Sequence, residues 1–111
     1  MQKNPINKTF EFLKKRTLHD LIIFCLFNVE EVKKTATVER LVKECFTLFP
    51  ESFAMKDYPK WPDSRKLDRA LRSLRRKKLI KGDPKTFFTL TQGGKKEVEE
   101  MLKEFRQKKL L

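Results

Sequence analysis

The stretch from Asp63 to Lys78 constrains the fold more than any other part of the chain. Leu67, Ala70, Leu71 and Leu74 recur at i, i+3, i+4 and i+7, the spacing of one helix face. Arg65, Arg69, Arg72 and Arg76 recur at i, i+4, i+7 and i+11. At about 100° per residue the two sets fall on opposite sides of one cylinder. Asp63 is placed to cap the N-terminus, and Pro62 keeps the residue before it out of the helix. The leucine seam needs a core to bury it. The arginine ridge needs water or a polyanion. Charged helix faces are most often only solvated, but such faces usually mix signs at i, i+4. Here Asp68 is the only acid between Arg65 and Lys78. Arginine clustered on one face is the electrostatic footprint of nucleic-acid contact, the reading favoured here.

The charge distribution points the same way. The 111 residues carry a net charge of +12. Between Lys56 and Lys85 there are 12 Lys/Arg against 4 Asp/Glu, so two thirds of the excess lies on and around this helix. A polyanion such as nucleic acid is the first inference and an anionic membrane surface the second. The length suits one domain, and ten Phe within 39% hydrophobic residues provide for a core. Cys25 and Cys45 fall in apolar helical runs without a Cys-x-x-Cys or Cys/His companion, so both are expected as buried, reduced core residues of a cytoplasmic protein. Residues 1–5 carry no signal-peptide pattern, and the longest apolar run, Leu21 to Phe27, is too short to span a bilayer; nucleic acid rather than a membrane is the expected partner.

Taken in order, residues 1–6 read as a loose arm and Asn7 to Arg16 as a short helix with Phe10 and Leu13 on one side. Thr17 then caps a helix from about Leu18 to Asn28, with Asp20 in capping-box spacing and Leu18, Leu21, Ile22, Cys25 and Leu26 facing inward. One helix from Asn7 to Asn28 is the alternative. Val29 to Ala36 reads as a polar connection that could hold a short strand near Lys34-Thr35-Ala36. Thr37 caps the next helix, whose inner face is Val38, Leu41, Val42, Cys45, Phe46 and Phe49, and Pro50 stops it. Three prolines in residues 50–62 argue against an ordinary helix there, and Phe53, Met55, Tyr58 and Trp61 argue against disorder. An irregular loop pinned to the core by its aromatics is preferred over one that stacks Tyr58 and Trp61 on bases. After the arginine helix, Leu79-Ile80-Lys81 and Thr86-Phe87-Phe88-Thr89-Leu90 flank Gly82-Asp83-Pro84-Lys85 as a hairpin. Thr91 caps a last helix with Gly93-Gly94 in its first turn, closing on the apolar tail Leu110-Leu111. Its stripe, Val98, Met101, Leu102 and Phe105, serves equally as a homodimer seam or as part of the chain's own core.

Two runs carry a family resemblance: Leu71-Arg72-Ser73-Leu74-Arg75-Arg76-Lys77-Lys78-Leu79-Ile80-Lys81-Gly82, and Phe88-Thr89-Leu90-Thr91-Gln92-Gly93-Gly94. With the order helix, short strand, helix, basic helix, hairpin, residues 17–105 resemble a winged helix-turn-helix domain of the MarR- and PadR-type regulators. The resemblance implies a mainly α fold with a two- or three-stranded antiparallel wing. The third helix would enter the DNA major groove, with Ser64, Arg65, Lys66, Arg69, Arg72 and Ser73 as readers, Arg76 on phosphate, and Lys81 and Lys85 as wing contacts. A dimer would set half-sites about 34 Å apart. The 13-residue connector over 50–62 departs from the short turn usual in that family.

No catalytic constellation is visible. His19 is the only histidine, the serines have no partner base, and Gly93-Gly94 is a weak anion-site signal. The expectation is a binding protein without cofactor or metal: a double-stranded DNA-binding prokaryotic transcriptional regulator, with Arg75, Arg76, Lys77, Lys81 and Lys85 supplying phosphate affinity. A winged-helix module docking on an acidic protein partner, and single-stranded nucleic-acid or RNA binding through Tyr58 and Trp61, are the alternatives.

Overall fold

The computed structural model describes residues 11–110. The arm over residues 1–6, the start of the helix expected from Asn7, and the side chains of the Leu110-Leu111 tail lie outside the described residues. Residues 11–13 are helical, and a turn over 14–16 separates them from helix α1, Leu18–Glu31. The single-helix alternative therefore fails. Thr17 sits in extended backbone (φ −67°, ψ 160°), and its hydroxyl accepts the Asp20 N–H at 3.3 Å. A capped helix start cannot also be a helix interior.

Helix α1 is the hub. Leu21 to Leu26 are all buried, and the helix packs on the three other long helices and on the second hairpin strand. It runs one turn past the expected end at Asn28, because Val29 continues the apolar stripe and is 2% exposed. Lys33 stops it in the left-handed region (φ 57°). Its N–H reaches the Glu30 carbonyl at 2.9 Å, and the Lys34 N–H reaches that of Val29 at 3.1 Å. This is a Schellman closure made with lysine in place of the usual glycine.

Helix α2, Val38–Leu48, starts at Thr37, whose hydroxyl accepts the Arg40 N–H at 3.2 Å. Leu41, Cys45 and Phe49 face the core. Pro50 ends α2 but also begins a one-turn helix, α3, Pro50–Phe53. The irregular loop expected over 50–62 thus starts with one helical turn: proline fits the first helical position, where its missing N–H would have no partner anyway. Helix α4 is Ser64–Arg76, strand β1 is Ile80–Gly82, β2 is Phe88–Leu90, and helix α5 is Gln92–Leu110.

The strands pair antiparallel, with Ile80 opposite Leu90, Lys81 opposite Thr89 and Gly82 opposite Phe88. Phe88 and Leu90 face the core, as the alternation predicts, while Phe87 is exposed. The Asp83 carboxylate accepts the Lys85 N–H at 2.8 Å, and its carbonyl accepts that of Thr86 at 3.1 Å, which closes the turn. Gly82 has φ 119°, and a Cβ there would lie 2.0 Å from the Phe87 carbonyl oxygen. The short strand expected near residues 34–36 reduces to one bridge, Ala36 with Phe88, where the Phe88 N–H meets the Ala36 carbonyl at 2.9 Å.

The outer edge of β2 is completed by a side chain. The next N–H on that edge, Leu90, donates to Glu30 Oε1 at 2.8 Å. Glu30, expected in a solvated connection, lies in the last turn of α1 and takes the place of a third strand's carbonyl.

Helix α5 is bolted to the end of α4. The Thr91 hydroxyl donates to the Lys78 carbonyl at 2.6 Å and accepts the Gly94 N–H at 3.1 Å, and the Thr91 N–H donates to the Leu79 carbonyl at 3.1 Å. Gly94 makes this approach possible: a Cβ there would sit 2.1 Å from the Leu79 carbonyl oxygen. Arg16 ties the other end of α5 to the start of α1, with Nε on Asp20 at 3.2 Å and Nη1 on Glu104 at 2.9 Å. Asp20 thus turns to Arg16.

The fold is mainly helical with a small antiparallel hairpin over one hydrophobic core. Cys25 and Cys45, distant in sequence, are both free and buried. Burial first, then hydrogen bonding with Cys45, holds the Cys25 thiol well above its usual pKa, which disfavours the reactive thiolate. No helix among the described residues is long and apolar enough to cross a membrane.

Candidate nucleic-acid interface

Helix α4 forms where the leucine and arginine periodicities coincide. The Asp63 carboxylate accepts the Lys66 N–H at 3.1 Å and caps the helix. Leu67, Ala70, Leu71 and Leu74 are at most 5% exposed. Burying this seam, at about 1.5–3 kcal/mol per leucine side chain, fixes the rotation of the helix about its axis. The opposite face must then point outward, and Arg65, Arg69, Arg72 and Arg76 are all exposed. Lys78, at φ 59°, ends the helix in a second Schellman closure, with the Leu79 N–H on the Leu74 carbonyl at 3.0 Å, and the chain passes directly into β1.

Helical geometry puts Lys66 and Ser73 on one flank of the ridge and Asp68 and Arg75 on the other. The Lys66 flank meets α3, where Lys66 Nζ donates to the Ser52 carbonyl at 2.8 Å. The Arg75 flank meets the hairpin. Arg75 Nη1 donates to the Gly82 carbonyl at 3.3 Å, and its guanidinium lies 5.9 Å from the centre of the Phe88 ring. The ridge is therefore framed by the connector near its N-terminal end and by the hairpin near its C-terminal end.

The sequence-predicted contact residues are distributed along this frame. Ser64, Arg65, Lys66, Arg69, Arg72 and Arg76 are exposed on α4, and Ser73 is half-buried. Lys81 is exposed on β1 and Lys85 is exposed in the hairpin turn. Arg72 is not a free cation: its Nη2 lies 3.0 Å from the Asp68 carboxylate, one helical turn back. That pair is exposed, so solvent screens it and a phosphate can compete for the guanidinium. Arg75, expected to add phosphate affinity, instead holds the hairpin against α4. Its Nε is buried without a hydrogen-bond partner among the described residues. Arg72, Arg75 and Arg76 together line an open concavity.

Two other expectations change. Of the connector's large side chains only Phe53 is pinned in the core; Met55, Tyr58 and Trp61 are 42%, 65% and 64% exposed. Backbone bonds order the loop instead: Asp63 N–H to the Phe53 carbonyl at 2.7 Å, and Met55 N–H to that of Trp61 at 2.8 Å. The apolar stripe of α5 goes to the chain's own core. Val98 and Met101 are buried, Leu102 packs beside them, and the Phe105 ring lies 5.5 Å from that of Phe12. A dimer seam through Val98 and Met101 would require opening that core.

His19 lies beside the basic helix terminus, with Lys77 Nζ 3.2 Å from its Nδ1. An ammonium can only donate, so this contact is a hydrogen bond when Nδ1 carries no proton, which favours the neutral imidazole. Burial, then the Lys77 charge, lower the His19 pKa, against a smaller opposing effect of Asp20. Among the described residues no cluster of three or more His, Cys, Asp or Glu could hold a metal.

Sequence reasoning missed Glu30 and misassigned Arg75. The one signal for Glu30 was its place four residues after Leu26 on the inner side of α1. No protein-family model, curated protein or solved structure matches this chain.

Proposed function

We propose that this chain binds double-stranded DNA as a winged helix-turn-helix domain and serves as a transcriptional regulator, a binding protein and not an enzyme. The ridge of α4 enters the major groove, with Arg65 and Arg69 toward base edges and Arg72 and Arg76 on phosphate. Lys81 and Lys85 on the hairpin engage the backbone. The observation that carries this reading is the exposed four-arginine face, held outward by a fully buried leucine seam and opposed by one exposed carboxylate. The element order and the Ala36–Phe88 bridge beside the hairpin suit a winged helix, in which a third, minimal strand flanks the wing. In place of the short turn usual between the last two helices of such a motif, α3 and the loop after it intervene.

Non-specific affinity of this kind comes from counterion release. Phosphate contacts from Arg72, Arg76, Lys81 and Lys85 would give a slope of log K on log salt of about −3.6, at −0.9 per phosphate. Fluorescence anisotropy of a labelled random duplex over a salt series tests this. The double variant Arg69→Ala/Arg72→Ala should weaken binding and flatten the slope by one phosphate equivalent, about 0.9. Absence of binding at about 50 mM salt, where non-specific contacts are strong, would refute the reading.

A further inference from the structure

The loop between α3 and α4 is a small closed unit. Ala54 and Pro62 form an antiparallel bridge at its base, and Met55 N–H to the Trp61 carbonyl adds a second tie. At its tip the Trp61 N–H meets the Tyr58 carbonyl at 3.0 Å, a turn with Pro59 at its second position. Tyr58 and Trp61 thus begin and end one β-turn, with Cα atoms less than about 7 Å apart. Both rings are about two-thirds exposed, and neither makes a ring contact within the described residues. A single exposed aromatic would mean little. Two of them lie on one turn whose backbone is tied at both base and tip, and both rings face mainly outward.

Charge identifies the partner. Lys56 and Lys60 lie in the loop, and Arg65 and Lys66 follow within a turn of α4. Of the nearby acids, Asp63 is engaged as the helix cap, leaving Asp57 and Glu51 against the four cations. An anionic ligand with flat apolar faces fits this surface. Bases inside a duplex have their faces covered by neighbours, so only unpaired bases can stack on Tyr58 and Trp61. The loop sits on the Lys66 flank of the ridge, opposite the hairpin, where a duplex held by α4 would run past it.

We propose that Tyr58 and Trp61 stack on unpaired bases next to a duplex held by the arginine ridge, so that the preferred ligand is a junction of duplex and single strand. The proposal rests on the duplex-binding reading of α4.

The test uses the whole chain, a blunt DNA duplex, the same duplex with a short single-stranded thymine tail, and the tail strand alone. Trp61 is the only tryptophan and reports on the loop directly. Stacking of one base should tighten binding of the tailed duplex roughly fivefold to a hundredfold over the blunt one. The tail should also quench Trp61 emission, and the blunt duplex should not. Tyr58→Ala and Trp61→Ala should abolish the gain and leave blunt-duplex affinity unchanged, whereas Tyr58→Phe and Trp61→Phe should retain it. Equal affinity for tailed and blunt duplexes, with Trp61 emission unmoved, would overturn the proposal while leaving the duplex reading intact. Binding and quenching by the single strand without any blunt-duplex binding would uphold the aromatic platform and refute the duplex reading. Failure of all three ligands to bind would overturn both.

Discussion

Glu30 is the residue on which the hairpin's attachment can be tested most directly. Its carboxylate accepts the Leu90 N–H at 2.8 Å across 60 positions of sequence, and Leu90 is 4% exposed. In Glu30→Ala that amide loses its acceptor where water does not readily replace it. A hydrogen bond to a charged group contributes about 1.5–3 kcal/mol. Two effects offset part of the loss. Alanine is the better helix former, by a few tenths of a kcal/mol. Removing an acid from the last turn of α1, which has no basic residue there, relieves an unfavourable dipole interaction by about 0.3–0.5 kcal/mol. The net expectation is a loss of about 0.6–2.5 kcal/mol, centred near 1.5 kcal/mol, which corresponds to roughly 6–12 °C in Tm for a domain of this size. Glu30→Gln keeps an acceptor oxygen without its charge and should lose about half as much. Thermal and urea denaturation followed by circular dichroism give the stabilities, and amide exchange at Leu90 gives the local effect. The reasoning fails if Glu30→Ala stays within about 0.5 kcal/mol of wild type, the ordinary range for a surface substitution. It fails equally if Leu90 exchange is unchanged, or if Gln and Ala are equally damaging.

Three further outcomes are expected. Gly94→Ala should destabilise by about 1–3 kcal/mol or more, because its Cβ would meet the Leu79 backbone carbonyl, while Gly93→Ala, with nothing nearer than 3.6 Å, should be neutral or slightly stabilising; denaturant midpoints of the pair decide this. Lys33→Gly should stabilise by about 0.5–1 kcal/mol by relieving a left-handed lysine, read from the same unfolding curves. The His19 pKa is lowered on folding, so its neutral form favours the native state; that contribution is complete above about pH 6.5 and is lost as pH falls through the folded value. Tm measured from pH 8 to pH 5 should therefore fall more in wild type than in His19→Gln, and parallel curves would refute it.

The caps at Thr17, Thr37, Asp63 and Thr91, the buried seam of α4 and the facing of Phe88 and Leu90 were legible in the sequence. Each depends on residues within a few positions of one another, and helix and strand periods are properties of the local backbone. The arginine ridge was legible for the same reason: once the seam is known, the opposite face follows from geometry.

What the sequence could not determine are the partnerships that cross the fold. Glu30 reads as solvated because nothing near it in sequence reveals the β2 edge it completes. Arg75 looks equivalent to Arg72 and Arg76 until the hairpin folds back and supplies the Gly82 carbonyl and the Phe88 ring. The stripe of α5 suits a partner subunit or the chain's own core equally, and tertiary packing decided for the core. Tyr58 and Trp61 were expected inward because large aromatics usually bury, yet the core was already filled by Phe49, Phe53 and Phe88 and left them outside. Local rules decide which face a residue occupies. Only the three-dimensional arrangement of the elements decides what that face meets.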